Sequence, residues 1–320
     1  MMMNKDSKIY VAGHSGMVGS AIVRELKKQG YSNLVVRTHD ELDLTNQLDV
    51  EEFFETEKPE YVFLAAAKVG GIFANMNSPA DFLSENLEIQ TNLIQSSYNN
   101  SIKKLLFLGS SCIYPRLCKQ PMKEEYLLDG KLEPTNEGYA LAKITGLKLC
   151  EYYKKQYNCN FISIMPCNLF GYNDNFLSEN SHFVPALIRK IYTAKINNLH
   201  SVSVWGTGKA KRELLFVDDL ADACLFVMKN YDEIDFINVG IGKDYYIYEI
   251  VEMLCKIIGY SGEIVYDTSK LDGMPQKVLD VGKINSIGWK YKTDIYEGLK
   301  LTYDWYVKNI VEINGDIYEK

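Results

Sequence analysis

The segment Ile9-Tyr-Val-Ala-Gly-His-Ser-Gly-Met-Val-Gly19 decides the fold. Its apolar start is typical of a short buried strand, and the evenly spaced glycines that follow lead into apolar residues at helical spacing. Backbone N–H groups at the start of such a helix, together with the helix dipole, attract a pyrophosphate. The spacing is G-x-x-G-x-x-G rather than G-x-G-x-x-G, so a purely structural turn is the alternative. We predict a dinucleotide-binding turn that uses Gly13, Gly16, Met17, Val18 and Gly19.

The alternation of strand-type and helix-type segments continues through the first half of the chain. Buried strand patterns occur at residues 34–37, 61–67, 104–109 and 161–165. Helical patterns separate them, as in repeated β-α units. This order predicts an α/β fold with a doubly wound, mostly parallel Rossmann sheet, followed by a smaller C-terminal domain for the substrate.

The second predicted strand ends at Arg37, where a doubly wound fold contacts the adenosine ribose of its cofactor. An acidic residue at this place would bind a ribose 2′-hydroxyl, whereas an arginine suits a 2′-phosphate. Arg37 therefore predicts NADP as the cofactor. Asp43 either lines the adenine pocket or caps its own loop, and Thr45 or Asn46 caps the next helix.

A tyrosine and a lysine four residues apart, Tyr139 and Lys143, lie on one face of a predicted helix. If the Lys143 ammonium lies about 6 Å from the Tyr139 phenol at an effective dielectric of about 20, it favours the phenolate by roughly 2.8 kcal/mol. This predicts a Tyr139 pKa lowered by about two units. Ser110 follows a buried strand and can bind the same substrate oxygen. Together the three residues predict hydride chemistry at a carbonyl. An ordinary pair on a helix surface is the alternative for Tyr139 and Lys143.

Composition and charge limit the classes of protein. The 320 residues are 47% hydrophobic with a net charge of −7, which is typical of a soluble globular protein and disfavours a nucleic-acid or membrane-surface partner. No apolar run reaches the roughly 18 residues of a membrane span, and we see no signal-peptide pattern. The seven cysteines lack paired metal-ligand spacing, so we expect reduced thiols, no metal and a cytoplasmic location.

Several longer motifs carry a resemblance to a known family. They are, in chain order, Ala12-Gly-His-Ser-Gly-Met-Val-Gly-Ser20, Leu64-Ala-Ala-Ala-Lys-Val-Gly-Gly71, Phe107-Leu-Gly-Ser-Ser-Cys-Ile-Tyr-Pro115, Leu132-Glu-Pro-Thr-Asn136, Asn180-Ser-His182 with Pro185-Ala-Leu187, and Val204-Trp-Gly-Thr-Gly208 with Arg212-Glu213. From Ile9 to about Trp305 the chain resembles the extended short-chain dehydrogenase/reductase family of nucleotide-sugar enzymes. The match is sharpest to the branch that converts GDP-4-keto-6-deoxy-D-mannose to GDP-L-fucose.

The resemblance implies two reactions in one site. Members of this branch epimerise the sugar at C3 and C5 and then reduce its C4 ketone with NADPH. By similarity, Ser110, Tyr139 and Lys143 serve the reduction, while Cys112 and His182 act as the base and acid of the epimerisation. Without the motifs, Cys112 would be interpreted as a buried thiol and His182 as a helix cap or a solvated residue.

The resemblance also implies how cofactor and substrate are bound. Asn168 matches the family's residue near the nicotinamide and the substrate, and Lys143 contacts the cofactor as well. Recognition of the GDP group is expected from Arg189, Lys190, Trp205, Arg212 and Lys277, each of which is otherwise a surface or packing residue. Arginine pairs well with phosphate, and indole covers a base or sugar face. Relatives pair helices equivalent to residues 79–98 and 139–157 across a two-fold axis, which predicts a homodimer.

The rhythm of strands and helices changes after Gly171, where a polar loop leads to His182 and shorter strands follow. We expect the NADP-binding Rossmann domain to comprise residues 1–170 and 215–240, and the domain that binds the GDP-sugar to comprise residues 171–214 and 241–320. We see no flexible linker and no internal repeat in the sequence.

Two positions on the cofactor side depart from the family pattern, and on the substrate side Lys190 stands in place of an arginine and Gln276 precedes Lys277. Relatives often place arginines in the glycine turn and after the second strand, facing the 2′-phosphate, whereas Ser15 and His39 stand there in this chain. Each lost charge-assisted contact is worth roughly 1.5 to 3 kcal/mol. We therefore expect NADPH to be used with a reduced preference over NADH.

Three other functions remain open. A nucleotide-sugar 4,6-dehydratase would need an Asp-Glu pair just after Ser110, where Ser111 and Cys112 stand. A GDP-4-keto-6-deoxy-sugar C4 reductase for another hexose or a heptose, with weak or no epimerase activity, needs the same reduction residues. A non-catalytic NADP-sensing protein would not need Ser110, Tyr139 and Lys143 together.

Overall fold

The computed structural model describes residues 3–176, 181–270 and 272–312. Its strands are β1 (Ile9–Ala12), β2 (Leu34–Val35), β3 (Tyr61–Leu64), β4 (Lys104–Leu108), β5 (Phe161–Pro166), β6 (Asn168–Phe170), β7 (Ser201–Trp205), β8 (Lys211–Arg212), β9 (Leu214–Phe216), β10 (Ile237–Val239), β11 (Tyr245–Tyr246), β12 (Glu263–Asp267) and β13 (Gln276–Lys277). Its helices are α1 (Met17–Lys28), α2 (Gln47–Glu57), α3 (Ile72–Asn77), α4 (Pro79–Asn99), α5 (Glu137–Tyr157), α6 (Phe183–Ile196), α7 (Val217–Asn230), α8 (Ile247–Ile258), α9 (Gly282–Ser286) and α10 (Ile295–Tyr306).

Six strands form the main sheet, in the order β10-β5-β4-β3-β1-β2. All neighbouring pairs run parallel. Strands β1, β3 and β4 are buried along their whole length, which explains why each reads as a continuous apolar run. The prediction of an α/β fold with a doubly wound, mostly parallel sheet is confirmed. Because parallel strands end at one edge, the turn after β1 and the residues after β4 lie on the same side of the molecule.

Strands β2 and β3 are shorter than their sequence patterns predict. The pattern at residues 34–37 gives a strand of only two residues, and the pattern at 61–67 ends as a strand at Leu64. After Leu64 the chain leaves the sheet and passes beneath the glycine turn, where Ala66 packs against Gly13. Apolar character therefore continues past the strand because this loop is also packed.

Two hydrophobic clusters organise the core. The larger cluster contains the main sheet with residues from α1, α2, α4, α5 and α7. The smaller cluster contains Phe170, Val184, Val204, Leu254 and Leu299, which come from β6, α6, β7, α8 and α10. Around it lie three small sheets, in which β6 pairs with β9, β7 with β12, and β8 with both β11 and β13. The domain boundaries at residues 170, 214 and 240 stay a prediction.

Helix α5 lies unusually close to strand β4. A Cβ atom on Gly146 would come within 2.4 Å of the Phe107 ring and 2.6 Å of the Gln90 side-chain oxygen, so no larger residue fits there. Gln90, buried in α4, donates a hydrogen bond of 2.7 Å to the carbonyl oxygen of Ala142. These contacts fix the rotation of α5 and direct Tyr139 and Lys143 towards the carboxyl end of β4.

Candidate active site

The glycine turn has the geometry of an anion site. Gly13 adopts a φ of +81°, and a Cβ there would lie 2.7 Å from the backbone nitrogen of Ala66. A Cβ on Gly19 would lie 2.0 Å from the Gly13 oxygen, whereas at Gly16 the nearest atom would be 3.5 Å away. Helix α1 begins at Met17 without a side-chain cap. Gly16 is exposed, and the first N–H groups of a helix have no partner within that helix, so the turn fits the pyrophosphate of a dinucleotide.

A buried asparagine that the sequence did not single out orders the neighbouring loop. The side-chain amide of Asn86, in α4, accepts from the Lys68 N–H at 3.0 Å and donates to the Lys68 carbonyl at 3.0 Å. The Lys68 ammonium pairs with Glu85. This two-point contact holds the loop after β3 beside the glycine turn. An isolated polar residue inside an otherwise amphipathic helix is a weak signal, which is why sequence reasoning missed it.

The predicted 2′-phosphate residue, Arg37, is already bound within the protein. Its guanidinium pairs with Glu57 of α2 and donates to the Val36 carbonyl at 2.8 Å. Glu57 also pairs with Lys8 at 2.6 Å. The Arg37 guanidinium lies 5.6 Å from the centre of the Phe53 ring, so it rests against α2. Arg37 therefore faces an internal carboxylate that competes with any phosphate.

The residues that follow β2 form a capped turn. Asp43 accepts hydrogen bonds from the Thr45 N–H at 2.9 Å and the Thr45 hydroxyl at 2.8 Å, and these bonds lower the pKa of Asp43. The structure shows the loop cap, and a role of Asp43 in the adenine pocket stays a prediction. Asn46 accepts from the Leu48 N–H at 3.1 Å and caps α2, as predicted for one of the two candidate residues.

The catalytic candidates meet at the end of β4. Ser110 begins a short 3₁₀ helix at Ser111–Ile113, and its hydroxyl oxygen accepts from the Cys112 N–H at 3.4 Å. The Lys143 ammonium donates to the Leu108 carbonyl at 2.9 Å and lies 5.7 Å from the centre of the Tyr139 ring. The structure therefore brings Ser110, Cys112, Tyr139 and Lys143 to one place.

The prediction that Lys143 lowers the Tyr139 pKa is wrong for this arrangement. Burial raises the pKa of the Tyr139 phenol, the charge of Cys112 raises it further, and only the Ser110 hydroxyl opposes the rise. Burial also lowers the pKa of Lys143 to about 8, with the Cys112 charge acting in the opposite direction. The sequence estimate ignored desolvation, which dominates both groups because β4 and α5 enclose them.

Cys112 is buried, and its surroundings set its acidity. Burial raises the pKa of the thiol, and four groups oppose that rise: first the ammonium of Lys277, then the Ser110 hydroxyl, the ammonium of Lys143 and the Cys112 backbone. The thiol acts on Lys277 in return, because the charge of Cys112 raises the Lys277 pKa against the lowering effect of burial. Lys277, predicted to contact GDP, thus lies within electrostatic reach of the candidate base.

Backbone pairing brings Lys277 to this position from a distant part of the chain. In β13 it stands opposite Arg212 of β8. The next residue, Val278, donates its N–H to the Gln120 side chain at 2.9 Å and accepts from the Met122 N–H at 2.8 Å. The segment after Cys112 and strand β13 are therefore joined directly.

Arg212 organises the loop that leads into β13. Its guanidinium donates to the carbonyl oxygens of Met274 at 2.6 Å and Asp272 at 3.0 Å. Burial lowers the pKa of Arg212, while the charges of Asp272 and Glu133 oppose that shift. Glu133 belongs to the Leu132–Asn136 motif, so two of the motifs quoted above meet at this guanidinium.

Trp205 ends β7 with 57% of its surface exposed. The ammonium groups of Lys190 and Lys270 lie 5.3 and 5.4 Å from the centres of its rings. Lys190 lies on α6 beside Arg189, and both burial and the Arg189 charge lower the Lys190 pKa. An exposed indole next to several cations is suited to an aromatic anion such as a nucleotide.

Glu213 is a buried carboxylate whose role the sequence did not reveal. One of its oxygens accepts from the N–H groups of Ile241 at 2.6 Å and Gly242 at 2.7 Å, and the other accepts from the Leu279 N–H at 2.7 Å. Burial nevertheless raises the pKa of Glu213 to about 7. Glu213 thereby joins the end of β10 to the segment after β13. The signal available in the sequence was a charged residue directly before the apolar strand β9.

The remaining candidates, His182 and Asn168, lie at element starts. His182 is exposed and precedes α6, where its carbonyl accepts from the Ala186 N–H at 3.1 Å. Asn168 is half-buried and begins β6. Asn180, part of the motif around His182, lies outside the described residues.

Within residues 3–176, 181–270 and 272–312, no helix is long and apolar enough to cross a membrane. Over the same ranges, no group of three or more His, Cys, Asp or Glu side chains is placed to hold a metal ion.

The whole chain is similar to named proteins. A model of the NAD dependent epimerase/dehydratase family matches residues 9–240. The putative GDP-L-fucose synthase 2 of Arabidopsis thaliana is 56% identical over 311 residues, which cover 97% of this chain and 95% of that protein.

Two solved structures resemble the fold over almost its full length. A GDP-6-OMe-4-keto-L-xylo-heptose reductase from C. jejuni has a TM-score of 0.92 and 41% identity, covering 96% of this chain and 99% of that one. A GDP-L-fucose synthetase from Naegleria fowleri bound to NADP has a TM-score of 0.89 and 29% identity, covering 97% of this chain and 96% of that one. The chain therefore belongs to the NAD dependent epimerase/dehydratase family, in the branch of the GDP-L-fucose synthases.

Proposed function

We propose that this protein is a bifunctional 3,5-epimerase/4-reductase that converts GDP-4-keto-6-deoxy-D-mannose to GDP-L-fucose with NADPH. One observation carries the proposal: a hydroxyl, a thiol, a phenol and an ammonium group, from Ser110, Cys112, Tyr139 and Lys143, converge at the end of β4. The relationship to GDP-L-fucose synthases at 56% identity supports it.

In the reduction, Ser110 and Tyr139 bind the C4 carbonyl oxygen. The glycine turn, Arg37, Lys143 and Asn168 would hold NADPH, which would supply the hydride. Because its pKa is raised, Tyr139 is a neutral phenol at physiological pH and can donate its proton to the oxygen as negative charge develops there. Lys143 lies behind Tyr139 and adds positive charge to this end of the site.

In the epimerisation, the same oxygen-binding pair makes the neighbouring carbons acidic. Hydrogen bonds from Ser110 and Tyr139 stabilise the enolate that forms when a proton leaves C3 or C5. Cys112 removes the proton from one face of the sugar and His182 delivers one to the other face. Lys277 assists Cys112, because its charge is the largest effect opposing the rise of the thiol pKa.

The GDP group binds on the side of the smaller cluster. Trp205 offers an exposed ring for the guanine or a ribose, and Lys190 and Arg189 provide neighbouring positive charge. Arg212 and Lys277 face each other across β8 and β13 and favour the diphosphate. The division into an NADP-binding domain and a GDP-sugar domain follows the same arrangement.

The protein is a cytoplasmic homodimer in this proposal. Helices α4 and α5 pack side by side, and on α5 Leu141 and Tyr152 expose 42% and 55% of their surfaces. A second copy could cover this face. A monomeric mass by light scattering would refute the dimer without affecting the proposed reaction.

A second candidate function is C4 reduction of another GDP-4-keto-sugar, a hexose or heptose, with weak or no epimerase activity. It is favoured by the TM-score of 0.92 to a heptose reductase. Both functions share the residues that bind the ketone, so only the fate of the C3 and C5 protons separates them.

The test is turnover of GDP-4-keto-6-deoxymannose with NADPH in deuterated water. Deuterium at C3 and C5 together with NADPH oxidation supports the bifunctional reaction. NADPH oxidation without deuterium at C3 and C5 identifies a reductase that lacks epimerase activity. If neither NADPH oxidation nor deuterium is observed, the protein is not an enzyme acting on this sugar. Cys112→Ser should abolish the label while leaving NADPH affinity unchanged, and label at the native rate would show that Cys112 is not the base.

A further inference from the structure

Asp272 lies in the segment between β12 and β13, and its carboxyl group takes no part in the proposed reaction. The residue is half-buried. One carboxyl oxygen, Oδ1, accepts a hydrogen bond from the Thr207 N–H at 2.7 Å. The other, Oδ2, accepts from the Thr207 hydroxyl at 2.8 Å. Both oxygens of one carboxylate therefore bind a single residue of the turn that follows β7.

The turn at residues 206–208 is shaped around this carboxylate. Gly206 is buried and adopts a φ of +83°, and a Cβ atom there would lie 2.1 Å from Oδ1 of Asp272. At Gly208, with a φ of +72°, a Cβ atom would lie 2.5 Å from the ring of Tyr266 in β12. Glycine suits both positions because it tolerates positive φ and close approach. The turn that begins directly after Trp205 is therefore enclosed between the Asp272 carboxylate and β12.

The main chain of the same residue is bound by Arg212. The Arg212 guanidinium donates to the Asp272 carbonyl at 3.0 Å and to the Met274 carbonyl at 2.6 Å. In the pairing of β8 with β13, Arg212 stands opposite Lys277. Asp272 thus contacts two parts of the proposed GDP site directly. Its carbonyl binds a cation that favours the diphosphate, and its carboxylate binds the turn next to the exposed indole.

A second contact with the indole comes from the residues just before Asp272. The Lys270 ammonium lies 5.4 Å from the centre of the Trp205 ring, a distance at which a cation is attracted to an indole face. Trp205 exposes 57% of its surface, so packing alone does not fix its ring. The position of the ring therefore depends on polar contacts, and those made by Lys270 and Asp272 come from one short segment.

We propose that Asp272 is a positioning residue that couples the base subsite at Trp205 to the diphosphate subsite at Arg212. An anion bound at Arg212 and a base stacked on Trp205 both favour the arrangement in which Asp272 keeps its two sets of contacts. Each half of GDP therefore binds better when the other half is bound. This inference rests on the proposed GDP-sugar function and extends it to how the two halves of the nucleotide are recognised together.

The first experiment measures the affinities of GDP and of inorganic pyrophosphate by calorimetry, with NADP⁺ bound so that neither ligand enters the glycine turn. Asp272→Ala is compared with the wild type and with Asp267→Ala. Asp267 is the matched control, because its carboxylate accepts from the N–H and hydroxyl of Ser269 and it pairs with Trp205 in β12 and β7. We expect Asp272→Ala to weaken GDP about tenfold and pyrophosphate less than about twofold. Asp267→Ala should leave both affinities unchanged. Equal weakening of both ligands in Asp272→Ala would overturn the inference.

The fluorescence of Trp205 tests the coupling without a base. Inorganic pyrophosphate has no ring to stack on the indole, so a change in Trp205 emission on its addition reports an effect carried from the diphosphate subsite. Subtraction of the Trp205→Phe signal removes the emission of Trp289 and Trp305. We expect the change in the wild type and in Asp267→Ala, and its loss in Asp272→Ala. No change in the wild type, or an equal change in Asp272→Ala, would overturn the inference.

Thr207 provides a second route for the case in which Asp272→Ala fails to fold. Thr207→Val removes the hydroxyl that binds Oδ2 and should reduce the fluorescence response, whereas Thr207→Ser keeps a hydroxyl and should retain it. A full response in Thr207→Val would overturn the inference. Failure of the proposed function gives a different result, because a wild-type protein that does not bind GDP refutes the GDP-sugar function itself. A wild-type protein that binds GDP as tightly as Asp272→Ala refutes the coupling alone.

Discussion

The reduction residues and the substrate-side residues are built in different ways. Ser110 follows a buried strand, and Tyr139 and Lys143 lie on a helix of 21 residues that packs tightly on that strand. Arg212 and Lys277 instead lie on strands of two residues each. Those strands are held by buried polar contacts, chiefly the hydrogen bonds that Glu213 accepts from three backbone N–H groups.

The difference shows where each half of the site is vulnerable. Regular elements with apolar packing tolerate the loss of a polar group, so substitutions in the reduction residues should affect chemistry and leave folding intact. Loops tied by a buried carboxylate depend on single hydrogen bonds, and removing one leaves unsatisfied N–H groups. Substitutions on the substrate side should therefore affect stability and assembly of the site together.

The largest effect is expected from Tyr139→Phe. Loss of the proton donor should reduce NADPH oxidation by about 10³-fold. Labelling at C3 and C5 should also fall, because the enolate loses a hydrogen bond. Tyr153→Phe, on the same helix but packed against Tyr98 and Tyr157, is the control and should retain both activities. Native labelling in Tyr139→Phe would show that the two reactions do not share one oxygen-binding pair.

Glu213→Gln should lower the free energy of unfolding by about 2 kcal/mol, because an amide cannot accept from all three N–H groups. The pH dependence gives a second criterion. The folded protein holds the Glu213 proton more tightly than the unfolded chain, so this contribution to stability is present below the ordinary pKa of 4.5 and is lost as the pH rises to about 7.

Glu213→Gln should lack that part of the slope when urea unfolding is followed between pH 4.5 and 7. Identical slopes in the two proteins would contradict the assignment of a raised pKa to Glu213. Unfolding of Glu249→Gln provides a comparison, since Glu249 caps α8 by accepting one hydrogen bond, from the Tyr246 N–H at 2.8 Å.

A smaller effect, about tenfold, is expected from Lys277→Met. Removing the ammonium should raise the Cys112 pKa further, and each unit reduces the thiolate fraction about tenfold at a given pH. Alkylation of Cys112 by iodoacetamide, followed by peptide mass spectrometry, should slow accordingly. Cys159 is an internal control because only burial shifts its pKa. Equal slowing at both thiols would point to a global change rather than to the Lys277 charge.

The smallest effect is expected from Glu57→Gln, which removes the internal partner of Arg37. Both side chains are partly exposed, so the pair is worth at most about 1 kcal/mol, or roughly fivefold in affinity. Release of Arg37 should strengthen binding of NADPH and of 2′,5′-ADP but not of NADH, measured by fluorescence titration. Glu55→Gln, exposed on the same helix, is the control. An unchanged ratio of NADPH to NADH affinity would mean that Glu57 does not compete for Arg37.

The sequence by itself determined the parallel sheet and the positions of the glycine turn, Ser110, Tyr139 and Lys143. Strands and helices of this fold are encoded by patterns over fewer than about twenty residues, and a parallel sheet then aligns the strand ends at one edge. Knowledge of the family added Cys112, which composition alone would have assigned to the core.

Only the tertiary structure decided the electrostatics and the long-range contacts. The sequence estimate for the Tyr139 pKa had the wrong sign because desolvation depends on what encloses the phenol, and that is fixed only after β4 and α5 pack. Lys277 comes to Cys112, and Glu213 to Leu279, through strand pairing between distant segments. The buried oxygen of Asp174 that lacks a hydrogen-bond partner within the described part of the chain became evident only once its burial was known. Residues far apart in the chain meet through packing, and their spacing in the sequence carries no record of it.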